Sequence, residues 1–241
     1  MAAARHCCND FGAYVVRNHP DRFGHFASLP LPDVDGALEA LTYALDELGS
    51  DGVAIESNND GLYLGDARLA PLYEELDRRR AVGVVHPTSP PCAEQIELGR
   101  PRPMLEFIFD STRTVSDLVF TGTLERYPHI EWVFTHCGGT LPLLAARLEL
   151  FRVAIFGGSC DAPGVPEQIS RLWFDIAGIP FPHQVPALAA AFGTERLLYG
   201  SDYCWTPIAG VNQQIASIDA ADQPEQLART HDSQRPALAR P

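Results

Sequence analysis

The sequence predicts an α/β fold in which the strands form one parallel sheet and the helices cover it. Short segments that are apolar throughout alternate along the 241 residues with segments of helical periodicity. Strands of this composition are typical of parallel sheets that are covered on both faces. No glycine-rich nucleotide-binding motif follows any strand. This absence favours a (β/α) barrel over the nucleotide-binding form of an open, doubly wound sheet.

The first half of the chain predicts three strands, each followed by a helix. Leucines recur at helical spacing after Asp33, and Gly49 can end that helix because glycine readily adopts the left-handed conformation. Pro128 lies where the third helix is expected to end. The predicted strands cover residues 23–31, 51–58 and 81–91, the helices cover 33–49, 67–80 and 111–128, and a loop covers 59–66.

The second half continues the alternation and brings the number of predicted strands to six. A closed barrel of this type has eight strands, so the sequence predicts an incomplete one. The strands cover residues 130–139, 171–178 and 196–205, and the helices cover 141–151 and 186–193. Because there is no internal repeat and no low-complexity linker, residues 1–241 are expected to form a single domain. A polar, proline-broken tail is expected over about 222–241.

Composition excludes several classes of partner. The net charge of −13 would repel nucleic acid and anionic membrane surfaces, and no apolar run is long enough to span a membrane. The six cysteines form neither a CxxC pair nor a zinc-finger spacing, and the N-terminus has no apolar signal-peptide core. We therefore expect a cytoplasmic protein with reduced thiols and a small-molecule ligand.

Three predicted strands end on polar side chains, namely His86, His136 and Asp202. The carboxyl ends of the strands in a parallel barrel all open on one face, so these residues are expected to converge there although they are far apart in sequence. Two imidazoles and a carboxylate suit zinc or another divalent transition ion, and they also suit acid–base chemistry. The alternative is that each one merely caps a turn or a helix.

Four segments carry a resemblance to a known family. The chain resembles the amidohydrolase-related decarboxylases, a group that includes aminocarboxymuconate-semialdehyde, γ-resorcylate and 6-methylsalicylate decarboxylases, and it is most similar to the last branch. The likeness runs from about Arg5 to about Thr206. It implies a (β/α)8 TIM barrel of the amidohydrolase superfamily with one divalent metal, zinc or manganese. The segments are "HPTSPP", "LEFIFDSTRTVSDLVFTGTLERYPHIEWVFTHCGGTLPLLAARLE", "WFDIAG" and "RLLYGSDY".

The resemblance also implies roles for individual residues. His86 and Asp202 match metal ligands, while His136 and Asp202 match the residues that handle protons. Arg147 matches an arginine that reaches a substrate carboxylate across the interface of a homodimer. Without such an interface, Arg147 would be a solvated helix arginine or part of a local ion pair.

Glu56, Asn58 and Asn59 end another predicted strand. They are candidates for lining the pocket, although capping the next loop is the simpler role for residues of this type. The sequence does not decide between the two.

The departures from the family pattern concern the metal. Family members begin with a strand carrying an HxH pair of ligands, and this sequence has no HxH pair. The resemblance therefore implies that the first one or two barrel strands are lacking and that the metal is weakly held, because fewer side chains hold it. His6, Cys7 and Cys8 are expected to lie on a helix remote from the site rather than to replace the missing ligands.

The function implied by the resemblance is metal-dependent, nonoxidative decarboxylation of a small anionic aromatic or unsaturated acid, impaired by the missing strands. A metal-dependent hydrolase of a lactone or amide is the first alternative, since the same residues serve both chemistries. A catalytically inactive fragment is the second, and the missing HxH pair is the feature that favours it.

Overall fold

The structure is a computed structural model that describes residues 2–158 and 162–221. Six of its strands form one parallel sheet in the order β1-β2-β5-β6-β7-β8, and β3 and β4 form a small antiparallel hairpin. The strands are β1 (Phe26–Ser28), β2 (Gly52–Glu56), β3 (Asn58–Asn59), β4 (Leu62–Tyr63), β5 (Val82–His86), β6 (Glu131–Phe134), β7 (Trp173–Asp175) and β8 (Leu197–Leu198). The parallel sheet and its six strands confirm the prediction of an incomplete barrel.

Helices alternate with the strands and contact neighbouring helices around the outside. They are α1 (Ala2–Asn18), α2 (Val34–Thr42), α3 (Ala70–Arg79), α4 (Ala93–Ile96), α5 (Arg102–Phe120), α6 (Thr123–Arg126), α7 (Leu141–Ala154), α8 (Val165–Ile169), α9 (Val185–Phe192) and α10 (Ile208–Asp219). A π-helical segment, Tyr43–Leu48, continues α2 up to Gly49, which has a φ of 68°. The expected stop at this glycine is therefore observed.

The core lies between the sheet and the helices. Val53, Ile55 and Phe134 are buried there, together with Leu41 of α2. On the opposite face, Phe26 and Ser28 of β1 and Ala54 and Glu56 of β2 are exposed, whereas Gly52 is buried. The expectation that both faces of every strand are covered is therefore wrong for these two strands, because the sheet does not close into a full barrel within the residues described.

Several elements differ from the sequence prediction. The expected loop 59–66 begins with the β3–β4 hairpin, whose turn residues Asp60 and Gly61 have φ values of 51° and 84°. This Asp-Gly pair is a hairpin signal that the prediction overlooked. Helix α5 begins nine residues before Ser111, because a proline is tolerated in a first helical turn. Strand β8 is only two residues long, and α10 was not predicted.

The predicted polar tail at 222–241 lies outside the described residues. No helix in the described part of the chain is both long and apolar enough to cross a membrane.

Candidate active site

The structure brings His86, His136 and Asp202 together at the carboxyl ends of the strands. One ligand atom from each lies within 4.8 Å of the others. His86 Nε2 is 3.5 Å from one carboxylate oxygen of Asp202, and His136 Nε2 is 3.8 Å from the other. These three residues, called the open cluster below, are the only group of this kind in the part of the chain that the structure describes. The predicted convergence is therefore observed.

His86 is the last residue of β5 and is paired in register with Glu56 at the end of β2. Its ring packs edge-on against the rings of Phe107 and His136, at centroid distances of 6.2 and 5.5 Å. The imidazole is partly exposed, yet its Nε2 atom is covered and has no hydrogen-bond partner. A buried polar atom without a partner is uncommon, and here it points to a site for a ligand.

His136 follows β6 and Thr135 in a sharp turn. Its φ is 57°, in the left-handed region that residues with side chains rarely adopt, at a cost of about 1–3 kcal/mol. Gly139 also has a positive φ, and a Cβ there would collide with the carbonyl oxygen of Ile108. The glycine of this turn is thus required both by its conformation and by the close approach of α5.

Hydrogen bonds hold both ends of the His136 residue. Its backbone N–H donates to Asp175 Oδ1 at 2.8 Å, and its Nδ1 lies 2.8 Å from the hydroxyl of Thr135. The ring nitrogen Nε2 is thereby directed at Asp202.

Asp202 does not end a strand, contrary to the prediction. It lies four residues beyond β8, in a loop, with a φ of 55°. Thr206 secures it, since its hydroxyl donates to Asp202 Oδ2 at 3.0 Å and its backbone N–H to the Asp202 carbonyl at 2.7 Å. Gln214 of α10 donates to the carbonyl of Ser201 at 3.3 Å. The helix missed by the sequence analysis therefore supports the loop that carries Asp202.

Burial dominates the electrostatics of the site. It lowers the pKa of His136 below its usual value, although the nearby carboxylates of Asp175 and Asp202 act in the opposite direction. Burial also raises the pKa of Asp175, against the effect of the N–H groups of Ala177 and His136. Partial desolvation at the strand end raises the pKa of Glu56, although its side chain is exposed, and the nearby His86 offsets part of this increase. A neutral His136 at neutral pH is the form that these shifts favour.

Two carboxylates near the strand ends, one half-buried and one buried, were missed by the sequence analysis. Asp175 ends β7, and the motif "WFDIAG" offered the same signal as the other strand-end residues. Asp110 of α5 is fully buried and accepts hydrogen bonds from four side chains. The donors are Ser57, Asn58 at 2.8 Å, Tyr63 at 2.6 Å and Arg113 at 2.8 Å. Asp110 and these four donors are called the closed cluster below.

The hydrogen bonds of the closed cluster show the role of Asn58, which was a candidate for lining the pocket. Asn58 binds Asp110 and accepts from the N–H of Gly61 at 3.0 Å, so it caps the hairpin turn. Glu56 is exposed and lies on the same side of the sheet as His86, its register partner. Asn59 is half-buried, and its Nδ2 has no hydrogen-bond partner.

The remaining candidates lie outside the open cluster. Arg147 is exposed on α7, where its guanidinium stacks over the ring of Phe151 at 4.9 Å. Cys7 and Cys8 are exposed on α1. The side chain of His6 lies outside the described part of the structure.

Comparison with known proteins places this arrangement in a family. The family model for amidohydrolases matches residues 2–230. A decarboxylase from Penicillium terrestre is 32% identical over 88% of this chain, which spans 66% of that protein's length. The 6-methylsalicylic acid decarboxylase of Penicillium expansum is 31% identical over 96% of the chain and 73% of its own length. A crystal structure described as an amidohydrolase II superposes with a TM-score of 0.90 at 30% identity, over 98% of this chain and 77% of that one. The chain belongs to the amidohydrolase family.

Proposed function

We propose that this chain is a metal-dependent, nonoxidative decarboxylase of small aromatic carboxylic acids of the salicylate type, with 6-methylsalicylate as the first substrate to test. The observation that carries the proposal is the open cluster, in which two imidazoles and a carboxylate meet at the strand ends. The names of its relatives from Penicillium point to the same chemistry.

His86 and Asp202 are the residues that would hold the metal. The unpartnered Nε2 of His86 and the nearby carboxylate of Asp202 form a nitrogen and oxygen donor set that suits zinc or manganese. When bound, such an ion supplies Lewis-acid stabilisation to an oxygen atom of the substrate. Since no HxH pair is present, we expect this ion to be weakly held.

His136 and Asp202 would handle the proton of the reaction. Decarboxylation breaks the bond between the ring carbon and the carboxylate, releases CO₂ and places a proton on that carbon. Asp202, or a water molecule oriented by His136, would supply this proton, and the 3.8 Å between His136 Nε2 and Asp202 Oδ2 supports this assignment. Burial lowers the pKa of His136 and so favours the neutral imidazole, which can orient a water molecule through a hydrogen bond.

Arg147 is proposed to bind the substrate carboxylate in a homodimer. Arg147 is exposed, and Leu143 and Leu150, which lie four and three residues from it on the same face of α7, are 77% and 59% exposed. A second copy that covered this face would bury both leucines and bring Arg147 beside another subunit.

Light scattering after size exclusion should show a dimer. If the protein is a monomer at assay concentration, Arg147 cannot bind the substrate across a dimer interface, and its proposed role is wrong.

We also propose a cytoplasmic location, where the cysteines of this chain would remain reduced thiols.

A product assay tests the proposed function. Purified protein supplied with Mn²⁺ and 6-methylsalicylate should release CO₂ and 3-methylphenol in equal amounts. His129→Ala, which removes an exposed histidine outside the cluster, is the matched control for His86→Ala and should keep the wild-type rate. Hydrolysis of lactones or amides without CO₂ release would instead establish the hydrolase, and no turnover of either class would favour the inactive fragment.

A further inference from the structure

Asp175 has no part in the proposed proton transfer, yet it lies directly behind His136. It is the last residue of β7, and its Oδ1 accepts hydrogen bonds from two backbone N–H groups. One is the N–H of His136 at 2.8 Å and the other is that of Ala177 at 3.0 Å. A single carboxylate oxygen thus joins the turn after β6 to the chain that leaves β7.

The conformation of His136 explains why such a bond matters. With a φ of 57°, the residue occupies a region that is normally left to glycine. Conformations of this kind persist only where the surroundings hold them, and they are frequent at functional sites. The bond from the His136 N–H to the half-buried carboxylate of Asp175 provides such a hold.

The space for Asp175 is provided by a glycine on the neighbouring strand end. A Cβ at Gly200 would lie 2.6 Å from Asp175 Cγ, which is far too close for any real contact. Gly200 is not among the residues with positive φ. A glycine is therefore needed at this position to leave space for the Asp175 carboxylate, and not because of the backbone conformation.

We propose that Asp175 is a positioning residue, which holds the backbone of His136 through its acceptor oxygen and so fixes the imidazole against Asp202. The role requires an acceptor at this position and not the negative charge. Asparagine, whose side-chain oxygen can accept the same two N–H groups, should replace Asp175, and alanine should not. The catalytic part of this inference rests on the proposed decarboxylase function.

The direct test compares Asp175→Asn with Asp175→Ala in two measurements. The first is the exchange rate of the His136 and Ala177 amides, followed by NMR. The second is CO₂ release from 6-methylsalicylate at saturating Mn²⁺. In Asp175→Ala we expect at least about tenfold faster exchange and a kcat about 10–100-fold lower, with KM nearly unchanged, because a misplacement near 1 Å costs about a hundredfold in rate. Asp175→Asn should remain within about threefold of wild type in both.

Gly200→Ala tests the same role with the carboxylate retained, since the new methyl group must displace Asp175. It should lower kcat and speed exchange of the His136 amide in the same direction as Asp175→Ala. This variant keeps the test decisive if Asp175→Ala does not fold.

A matched pair elsewhere in the chain controls for structural damage. Asp117 Oδ2 accepts the N–H of Gly65 at 2.8 Å, and a Cβ at Gly65 would also lie 2.6 Å from a carboxylate carbon. Asp117→Ala and Gly65→Ala should lower the melting temperature and leave kcat per folded molecule unchanged.

Three results would overturn the inference. They are wild-type exchange and kcat in Asp175→Ala, equal damage in Asp175→Asn and Asp175→Ala, and an equal loss of kcat in the Asp117 and Gly65 controls. If the wild-type chain releases no CO₂, the proposed function fails instead. The amide exchange then decides alone whether Asp175 holds His136.

Discussion

Two polar clusters lie near the carboxyl ends of the strands, and they differ in whether their hydrogen bonds are complete. In the closed cluster, the fully buried Asp110 accepts from four donors on the β2 end, the hairpin and α5. In the open cluster, Nε2 of His86 and Nε2 of His136 lie 3.5 and 3.8 Å from the carboxylate oxygens of Asp202, which is longer than a hydrogen bond, and His86 Nε2 has no partner.

The difference indicates which cluster serves the fold and which serves a ligand. Buried polar groups in folded proteins are nearly always paired, because an unpaired one costs about 1–3 kcal/mol. The closed cluster obeys this rule and ties three segments together. The open cluster departs from it where imidazole nitrogens and a carboxylate converge. Mutations in the two clusters should therefore affect different properties of the protein.

The largest effect is expected from His136→Ala in the open cluster. Loss of a proton-handling side chain should lower CO₂ release by about 10²–10⁴-fold. Bound Mn²⁺ should be largely retained, since His86 and Asp202 are the proposed ligands. Steady-state assays and elemental analysis of the same sample measure both. Near-normal turnover would show that His136 has no catalytic role.

Asp110→Ala should produce a loss of stability instead. It removes the shared acceptor of the closed cluster and leaves Ser57, Asn58 and Tyr63 without it, at a cost of about 3–5 kcal/mol in the free energy of unfolding. Urea denaturation measures this cost, and Asp110→Asn should recover part of it. A cost under about 1 kcal/mol would show that the cluster adds little to stability.

Tyr63→Phe should have the smallest effect, about 1 kcal/mol, because it deletes one hydrogen bond to Asp110. Burial, reinforced by that bond, raises the pKa of Tyr63 to about 12. A raised folded-state pKa means that the stabilisation is complete below about pH 10 and is lost as the pH rises through about 12.

The pH dependence can be read from the difference in unfolding free energy between wild type and Tyr63→Phe at pH 7, 9 and 11. The difference should be constant up to pH 9 and smaller at pH 11. Tyr14→Phe, which alters an exposed tyrosine, should show no such trend. A difference that grows with pH would contradict the assigned shift.

The open cluster could be predicted from sequence because its origin is local. Each residue follows an apolar strand, and parallel strands place their carboxyl ends on one edge whatever lies between them. The same logic applied to "WFDIAG" would have found Asp175. Asp202 shows the limit of this reasoning, because Gly200 and Ser201 carry it beyond β8 into a loop supported by α10.

The closed cluster could not be predicted in this way. Asp110 lies 53 residues from Ser57 and 47 from Tyr63, and no periodicity links them. Nor does the sequence show that Asp175, 39 residues further along the chain, would accept a hydrogen bond from the N–H of His136. Such pairings depend on how α5 and β7 pack against other elements, which local patterns do not specify.

Equilibrium dialysis against Mn²⁺, followed by elemental analysis, tests most directly the claim that the open cluster is a divalent-cation site. Wild-type protein and His129→Ala should each bind about one ion per chain and should lose it to a chelator, as expected for few protein ligands. His86→Ala and Asp202→Asn should bind at least about tenfold more weakly, and Asp110→Asn should bind as wild type does. Unchanged binding in both His86→Ala and Asp202→Asn would contradict the account.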